Sequence, residues 1–380
     1  MSATIFPEQY ADRTDSVRSQ GDQNRALATR AYGALKTNGP IHAMTIHRRA
    51  LLADDVAIDV LYCGVCHSDI HMIRGEWGAQ PYPMVPGHEF VGRVTAVGSA
   101  VTRFIPGDYA GVGCMVDSCC GCANCQAGLE QYCTVGATLT YASPDTRGEG
   151  PTFGGYSERI VVRERFAVKV PEGADLATTA PLLCSGVTTF SPMQHWRLGS
   201  GQRFAVIGLG GLGHMALKLA VSRGAEATVF TTSAGKVKDA YEMGAKDVVV
   251  WHPAASVPIP LDTELANRFD FILSTIPFSY DVAPFLPLLG RDSTFVNVGA
   301  PGAIAGVTGE GLWAQRRAIV GSCIGGMPET QEVVDYCIAN AIRPQIELIR
   351  PDQIDEAYLR VEGKDVRYRF VIDLAANRAG

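Results

Sequence analysis

Apolar and polar positions follow two different rhythms along the chain. Beyond about Leu198, short continuous apolar runs recur at Arg203–Ile207, Ala227–Thr232, Asp247–Trp251, Phe269–Ile276, Ser293–Val298 and Ala318–Gly321. Each has the length of a strand buried on both faces. Helical stretches lie between them, one ending near Arg223 and another over Lys236–Met243. Strands alternating with helices predict a doubly wound parallel sheet, an α/β architecture. From Ala31 to about Leu183 the texture is different. Short β-like runs such as Val56–Tyr62, Val91–Val97 and Ser157–Val162 are broken by Gly and Pro, which predicts an irregular, mostly β domain. The final segment, Glu347–Leu374, has strand character at Tyr368–Ile372, so the chain is expected to return to this first domain. Residues 1–30 are polar without an apolar period and read as a mobile extension or surface arm. The expected organisation is therefore an extension at 1–30, a β-rich domain from 31–183 and 325–380, and an α/β domain over 184–324.

Composition narrows the function classes. A chain of 380 residues, 47% apolar, has room for two cored domains. Its net charge of −6 and pI of about 5.8 argue against a nucleic-acid partner. No window reaches the roughly 18 uncharged apolar residues of a membrane helix. The N-terminus lacks a secretory apolar segment, and Glu8, Asp12, Asp15 and Asp22 make it too acidic for an organelle transit peptide. Of the 11 cysteines, five crowd into Cys119–Cys133. In a long chain without a secretory signal such crowding points to metal rather than disulfides, and to the cytoplasm.

Gly208-Leu209-Gly210-Gly211-Leu212-Gly213 follows one predicted strand and opens a helix. The first glycine suits a tight turn. The second lets backbone approach a pyrophosphate, and the third lets helix and strand pack closely, with the helix N-terminus facing the phosphates. The next strand ends in Thr231-Thr232-Ser233-Ala234-Gly235-Lys236. An NAD site places Asp or Glu near here to bond the ribose 2′-hydroxyl. This turn has no carboxylate to repel a 2′-phosphate. It offers the hydroxyls of Thr231, Thr232 and Ser233 and the ammonium of Lys236, so the expected cofactor is NADP(H).

Cys119-x-x-Cys122-x-x-Cys125-x7-Cys133 is the most specific local pattern. Four thiolates this close can enclose one zinc ion with no open position, which makes a structural site. Cys120 offers a fifth thiol, but the other four are more regularly spaced.

A second set of metal-ligating types is scattered through Gly64–His71, Gly87-His88-Glu89 and Pro181–Cys184, and spacing alone does not join it. With these segments, Val85–Glu89, the four-cysteine loop, Phe153-Gly-Gly-Tyr156, Pro181–Pro192 and the glycine turn in order, the chain from about Ala31 to Leu374 resembles the zinc-dependent medium-chain alcohol dehydrogenases. The likeness is to their cinnamyl-alcohol-dehydrogenase-like branch, which includes NADPH-dependent aldehyde reductases. The resemblance implies a GroES-like β-rich catalytic domain beside a Rossmann domain. It implies two zinc ions per chain, the second and reactive one held by Cys66, His88 and Cys184. These donor types suit zinc and leave a fourth position open. Glu89 would sit beside that metal and can occupy the fourth position between turnovers. Asp69 would orient His88.

Zinc would then serve as a Lewis acid while hydride passes from the nicotinamide to an aldehyde carbon. Ser68 would bond the substrate oxygen, and His71 would pass the proton outward through the cofactor ribose. The resemblance carries cofactor contacts to His67, Thr188, Thr275, Val298, Ser322 and Ile324 as well. It places Trp77 at the substrate channel, although a Trp packed in a loop is an equal reading, with Met115 and Ile324 as weaker lining candidates. A homodimer paired through the Rossmann sheet edge is also implied. Two alternatives are an NAD-preferring alcohol dehydrogenase working in oxidation, and a non-catalytic, zinc-stabilised dinucleotide-binding protein.

Overall fold

The computed structural model describes residues 27–251, 265–299 and 302–376. Six strands form one parallel sheet, in the spatial order Asp247–Val250, Glu226–Thr231, Arg203–Ile207, Phe269–Ser274, Leu289–Asn297, Ala318–Gly321. Every neighbouring pair is parallel. In chain order this is 3-2-1-4-5-6, the dinucleotide-binding arrangement. Alternation within a strand explains why the runs are continuously apolar. Phe204 and Val206 enter one buried cluster, while Ala205 and Ile207 enter the cluster on the opposite face. The strand Leu289–Asn297 starts earlier than the apolar run predicts, because its Arg291 and Asp292 are exposed and interrupt the pattern.

The β-rich lobe is built on the long strand Asp55–Val65. It pairs antiparallel with Phe90–Val97, Arg159–Arg163 and the C-terminal strand Arg369–Asp373. The chain thus returns to its first lobe, as the Tyr368–Ile372 pattern predicts. The two lobes share a core: Val168, Val170, Leu182 and Leu183 cluster with Phe204 and Val206 and with Val333, Val334 and Cys337 of the helix Met327–Ala339.

The expected polar extension at 1–30 needs correction at its end. Leu27–Gly33 is a strand paired in register with His42–Arg48, so residues 27–30 belong to a hairpin. Its outer residues Leu27, Ala28 and Arg30 are exposed, and Thr29 is the one buried side chain of this strand before Ala31, which leaves too short an apolar signal to read in sequence. The rest of the extension, 1–26, lies outside the described residues. No helix among the described residues is long and apolar enough to cross a membrane.

Candidate active site

Strand pairing assembles the reactive cluster. Cys63 lies opposite Phe90 in the sheet, so the residues after Asp55–Val65 and before Phe90–Val97 emerge side by side. They are Cys66 and His88-Glu89. Cys184 arrives from a segment distant in sequence, immediately before the helix Ser185–His195. The ligand atoms of Cys66, His88, Glu89 and Cys184 all lie within 4.8 Å of one another, and all four residues are buried. The two sulfurs are 3.9 Å apart, and His88 Nε2 is 3.2 Å from Cys184 Sγ. Two thiols, an imidazole and a carboxylate converging in this way fit one zinc ion. A hydrogen bond from Cys184 holds Cys66 well below the ordinary thiol range, while bonds to Cys114 and Cys66 push Cys184 up.

Asp69 orients the imidazole. Its Oδ1 accepts the His88 Nδ1 proton at 3.0 Å and the Gly87 N–H at 3.2 Å. Its Oδ2 accepts the Cys66 N–H at 2.9 Å and the Tyr156 hydroxyl at 3.2 Å. The carboxylate is fully buried, so four donors replace its water. With Nδ1 engaged, Nε2 faces the sulfurs. Tyr156, from the Phe153-Gly-Gly-Tyr156 segment, was not a sequence candidate for this role.

Glu89 has a partner that sequence alone does not suggest. Arg369 donates from Nε to Oε1 at 2.8 Å and from Nη2 to Oε2 at 2.6 Å. Burial pushes the Glu89 carboxyl up to about 7 against the pull of this guanidinium. Arg369 also borders the cofactor turn: a Cβ on Gly211 would lie 2.7 Å from its Nη1.

The helix His67–Ile73 carries Ser68 and His71. Ser68 Oγ lies 3.6 Å from Cys66 Sγ. His71 is sandwiched between His67, at 4.7 Å, and Trp77, at 5.1 Å between ring centroids. Its Nδ1 bonds the Glu76 carboxylate, and its Nε2 is buried with no hydrogen-bond partner among the described residues. Glu76 is 46% exposed in its side chain, so this carboxylate reaches water. Trp77 therefore flanks the histidine, half-buried against the β-rich core, and Met115 is buried within that core. His67 is held below the usual histidine value by burial, then by His71.

The glycine turn has the three expected environments. Gly208 has φ +95°. Around Gly210 an added Cβ would meet nothing within 4 Å among the described residues, an open cradle of the kind a phosphate needs. At Gly213 it would lie 1.8 Å from the Gly208 carbonyl oxygen, so only glycine lets helix and strand pack so closely. Helix Gly211–Ser222 begins without a side-chain cap, leaving its first N–H groups for a ligand. Leu209 and Leu212 lie within this turn.

Thr275, Val298 and Ser322 each follow the C-terminal end of a parallel strand, and Ile324 lies two residues beyond Ser322. Thr188 is buried one turn beyond Cys184. Thr275 Oγ1 donates to the Ile207 carbonyl at 2.8 Å, which fixes the bottom of the crevice.

The turn after the second strand differs from the sequence expectation. Lys236 is buried and its ammonium donates to the Leu209 carbonyl at 3.2 Å, beneath the Tyr368 ring. Thr231 is buried too, its Oγ1 accepting the Ser233 N–H at 3.1 Å. Thr232 is exposed and Ser233 half-buried.

Cys119, Cys122, Cys125 and Cys133 form the second cluster, their sulfurs all within 4.8 Å of one another. Cys119 and Cys125 are 3.9 Å apart, and the Cys122 N–H points at Cys119 Sγ from 3.4 Å. Four thiols with no open side fit a structural zinc. Cys120 turns away, toward the Ser118 hydroxyl at 3.6 Å and the Arg163 guanidinium at 3.2 Å.

A parallel 3-2-1-4-5-6 sheet with a Cys2His cluster at its carboxyl edge defines a zinc-dependent nicotinamide oxidoreductase. Residues 52–172 match the family described as "Alcohol dehydrogenase GroES-like domain", and residues 211–339 match "Zinc-binding dehydrogenase". The chain is 50% identical over 350 residues to "NADP-dependent alcohol dehydrogenase C 1" of Mycolicibacterium smegmatis, covering 92% of this chain and 99% of that one. It is 48% identical over 350 residues to "Aldehyde reductase YahK" of Escherichia coli, covering 91% and 98%. Among solved structures, CAD from Helicobacter pylori complexed with NADP(H) superposes with a TM-score of 0.85 at 38% identity, covering 92% and 99%. The chain belongs to the zinc-dependent medium-chain alcohol dehydrogenases, in their cinnamyl-alcohol-dehydrogenase-like branch.

Proposed function

We propose that this chain reduces aldehydes to primary alcohols, reversibly, with NADPH as hydride donor. One observation carries the reading. A single buried guanidinium, Arg369, contacts the metal-cluster residue Glu89 on one side and Gly211 at the head of the cofactor helix on the other. Metal and cofactor seats are therefore neighbours.

Cys66, His88 and Cys184 would hold the catalytic zinc, and Cys119, Cys122, Cys125 and Cys133 the structural one. The bound catalytic zinc supplies a Lewis acid for the carbonyl oxygen, and the cofactor supplies hydride. The chain's own groups do the rest. Asp69 fixes the ring of His88. The Ser68 hydroxyl, beside Cys66, donates to the substrate oxygen. His71 would return a proton toward that hydroxyl from its buried Nε2 and be recharged at Nδ1 through Glu76, which meets water. Trp77 covers the outer face of His71 and walls the channel with an apolar surface that suits flat aldehydes. The relatives named as an NADP-dependent alcohol dehydrogenase and as an aldehyde reductase support the same chemistry.

The turn at 231–236 would seat the 2′-phosphate through the Thr232 and Ser233 hydroxyls. Among the described residues the Rossmann sheet leaves Ala318–Gly321 paired on one side only, with Trp313 (72% exposed) and Val307 also exposed shortly before it in sequence. That edge supports a homodimer, as an unpaired strand with apolar neighbours favours pairing with a second copy. The cytoplasm is the compartment where the thiol ligands stay reduced. The test is an aldehyde panel assayed with NADPH and with NADH. Preferential turnover with NADPH is expected; a clear NADH preference contradicts the cofactor reading, and no turnover of any aldehyde contradicts the activity.

A further inference from the structure

If the turn at 231–236 seats a 2′-phosphate, a positive charge should face it. Lys236 is the cation that the sequence offers, but its ammonium is committed to the Leu209 carbonyl under the Tyr368 ring. A different cation reaches the turn from the other lobe. Arg367 lies just before the C-terminal strand Arg369–Asp373, and its guanidinium is 52% exposed. Its Nη2 donates to the Gly235 carbonyl at 3.4 Å, within the turn itself. Its Nη1 is paired with Asp239, on the helix that follows the turn.

Asp239 is shared, because the Tyr368 hydroxyl also donates to it at 2.7 Å. The backbone N–H of Arg367 is fixed at 2.9 Å on Glu347. The fork is thus held from both ends with one edge still open to solvent. A guanidinium has five N–H donors in a plane, so the pair with Asp239 leaves others free for a phosphate. The charged groups that bear on Lys236 here are Arg367 and Lys364, with Asp365 opposing them.

We propose that Arg367 is a cofactor-selecting residue, binding the 2′-phosphate of NADP(H) together with the Thr232 and Ser233 hydroxyls. The inference rests on reading the turn as the 2′-phosphate seat. It adds that selectivity is written by two segments, one from each lobe, so the phosphate ties the C-terminal strand to the Rossmann lobe.

The test is equilibrium binding of NADPH and NADH, followed by fluorescence, to the zinc-loaded wild type, Arg367→Ala and Arg367→Lys. Removing a charge-assisted contact should weaken NADPH by about 10- to 100-fold and leave NADH within about twofold. Arg367→Lys should recover part of the NADPH affinity. NADH binding serves as the control for folding. Should Arg367→Ala fail to fold, Arg367→Gln, a shorter neutral side chain that still carries a polar amide, carries the same expectation. NADPH affinity unchanged, or equal losses for both cofactors, would overturn the proposal. A wild type that binds NADPH and NADH alike would overturn the reading of the turn, and the proposal with it.

Discussion

Arg369 grips Glu89 through both carboxylate oxygens, at 2.8 and 2.6 Å, with side chains only 5% and 0% exposed. A buried bidentate pair is hard to dismantle from one side. Removing one partner leaves an uncompensated charge, at a cost of about 3–5 kcal/mol. Arg369→Met should lower stability by that amount in denaturant titrations. The double variant Glu89→Leu/Arg369→Met should be clearly more stable than Arg369→Met alone. If the single variant unfolds like the wild type, the pair has no structural weight.

Asp69 carries four donors, and one of them sets the tautomer of His88. Loss of such an outer ligand contact weakens metal affinity by about 10- to 100-fold. Asp69→Asn should therefore release the catalytic zinc to a competing chelator at correspondingly lower chelator concentration. Tyr156→Phe, which removes one donor of four, should shift the release less. Unchanged zinc retention in Asp69→Asn would refute the orienting role.

The ring of His71 bridges a buried, partnerless Nε2 and the solvent-facing Glu76. His71→Ala should slow turnover by about 10²-fold in dilute buffer, the lower end for general acid–base help. Added imidazole should restore part of the rate. Glu76→Gln should show a smaller loss and the same buffer dependence. A His71→Ala enzyme insensitive to buffer would exclude a proton path through this residue.

Cys125 and Cys120 make a matched pair. Cys125 lies inside the four-sulfur cluster, whereas Cys120 is turned to Ser118 and Arg163. Metal analysis should find that Cys125→Ser loses one zinc per chain and that Cys120→Ser loses none. Zinc loss in Cys120→Ser would mean that the cluster uses the other register.

His214 gives the fold an acid-labile point. Burial pushes it down to about 3, far below its unfolded value of about 6.5. Protons then favour the unfolded chain, so the stabilisation is complete above 6.5 and fades as pH falls from there toward 3. Between pH 7 and pH 5 this group alone should cost about 2 kcal/mol. His214→Leu should accordingly lose about that much less than the wild type over the same interval in urea titrations. Equal acid sensitivity of the two chains would contradict a neutral buried His214.

How far each feature could be read in the sequence follows its range along the chain. The glycine turn and the four-cysteine loop are local: their residues lie within six and fifteen positions, and spacing states their geometry. The Rossmann strands were legible because burial on both faces makes each an unbroken apolar run. Leu289–Asn297 was caught only in its second half, because Arg291 and Asp292 are exposed.

The reactive cluster is not local. Cys66 and Cys184 are 118 positions apart, and Arg369 is 280 from Glu89. Those contacts depend on sheet register, such as Cys63 opposite Phe90, which no spacing encodes. Family resemblance joined the ligands, but it did not bring in Arg369, Tyr156 or Glu76. Lys236 shows the reverse limit. Its residue type fits a phosphate, yet its ammonium is turned inward to Leu209.

Aldehyde reduction with NADPH is expected to need a zinc held by Cys66, His88 and Cys184. Zinc content and aldehyde-dependent NADPH oxidation, measured on the same preparations of wild type and Cys66→Ser, test it most directly. The wild type should hold two zinc ions per chain, matching the two donor clusters, and turn over. Cys66→Ser should keep its fold by circular dichroism, hold one zinc, and lose turnover. A Cys66→Ser enzyme with near-normal rate, or a fully active wild type holding a single zinc, would contradict it.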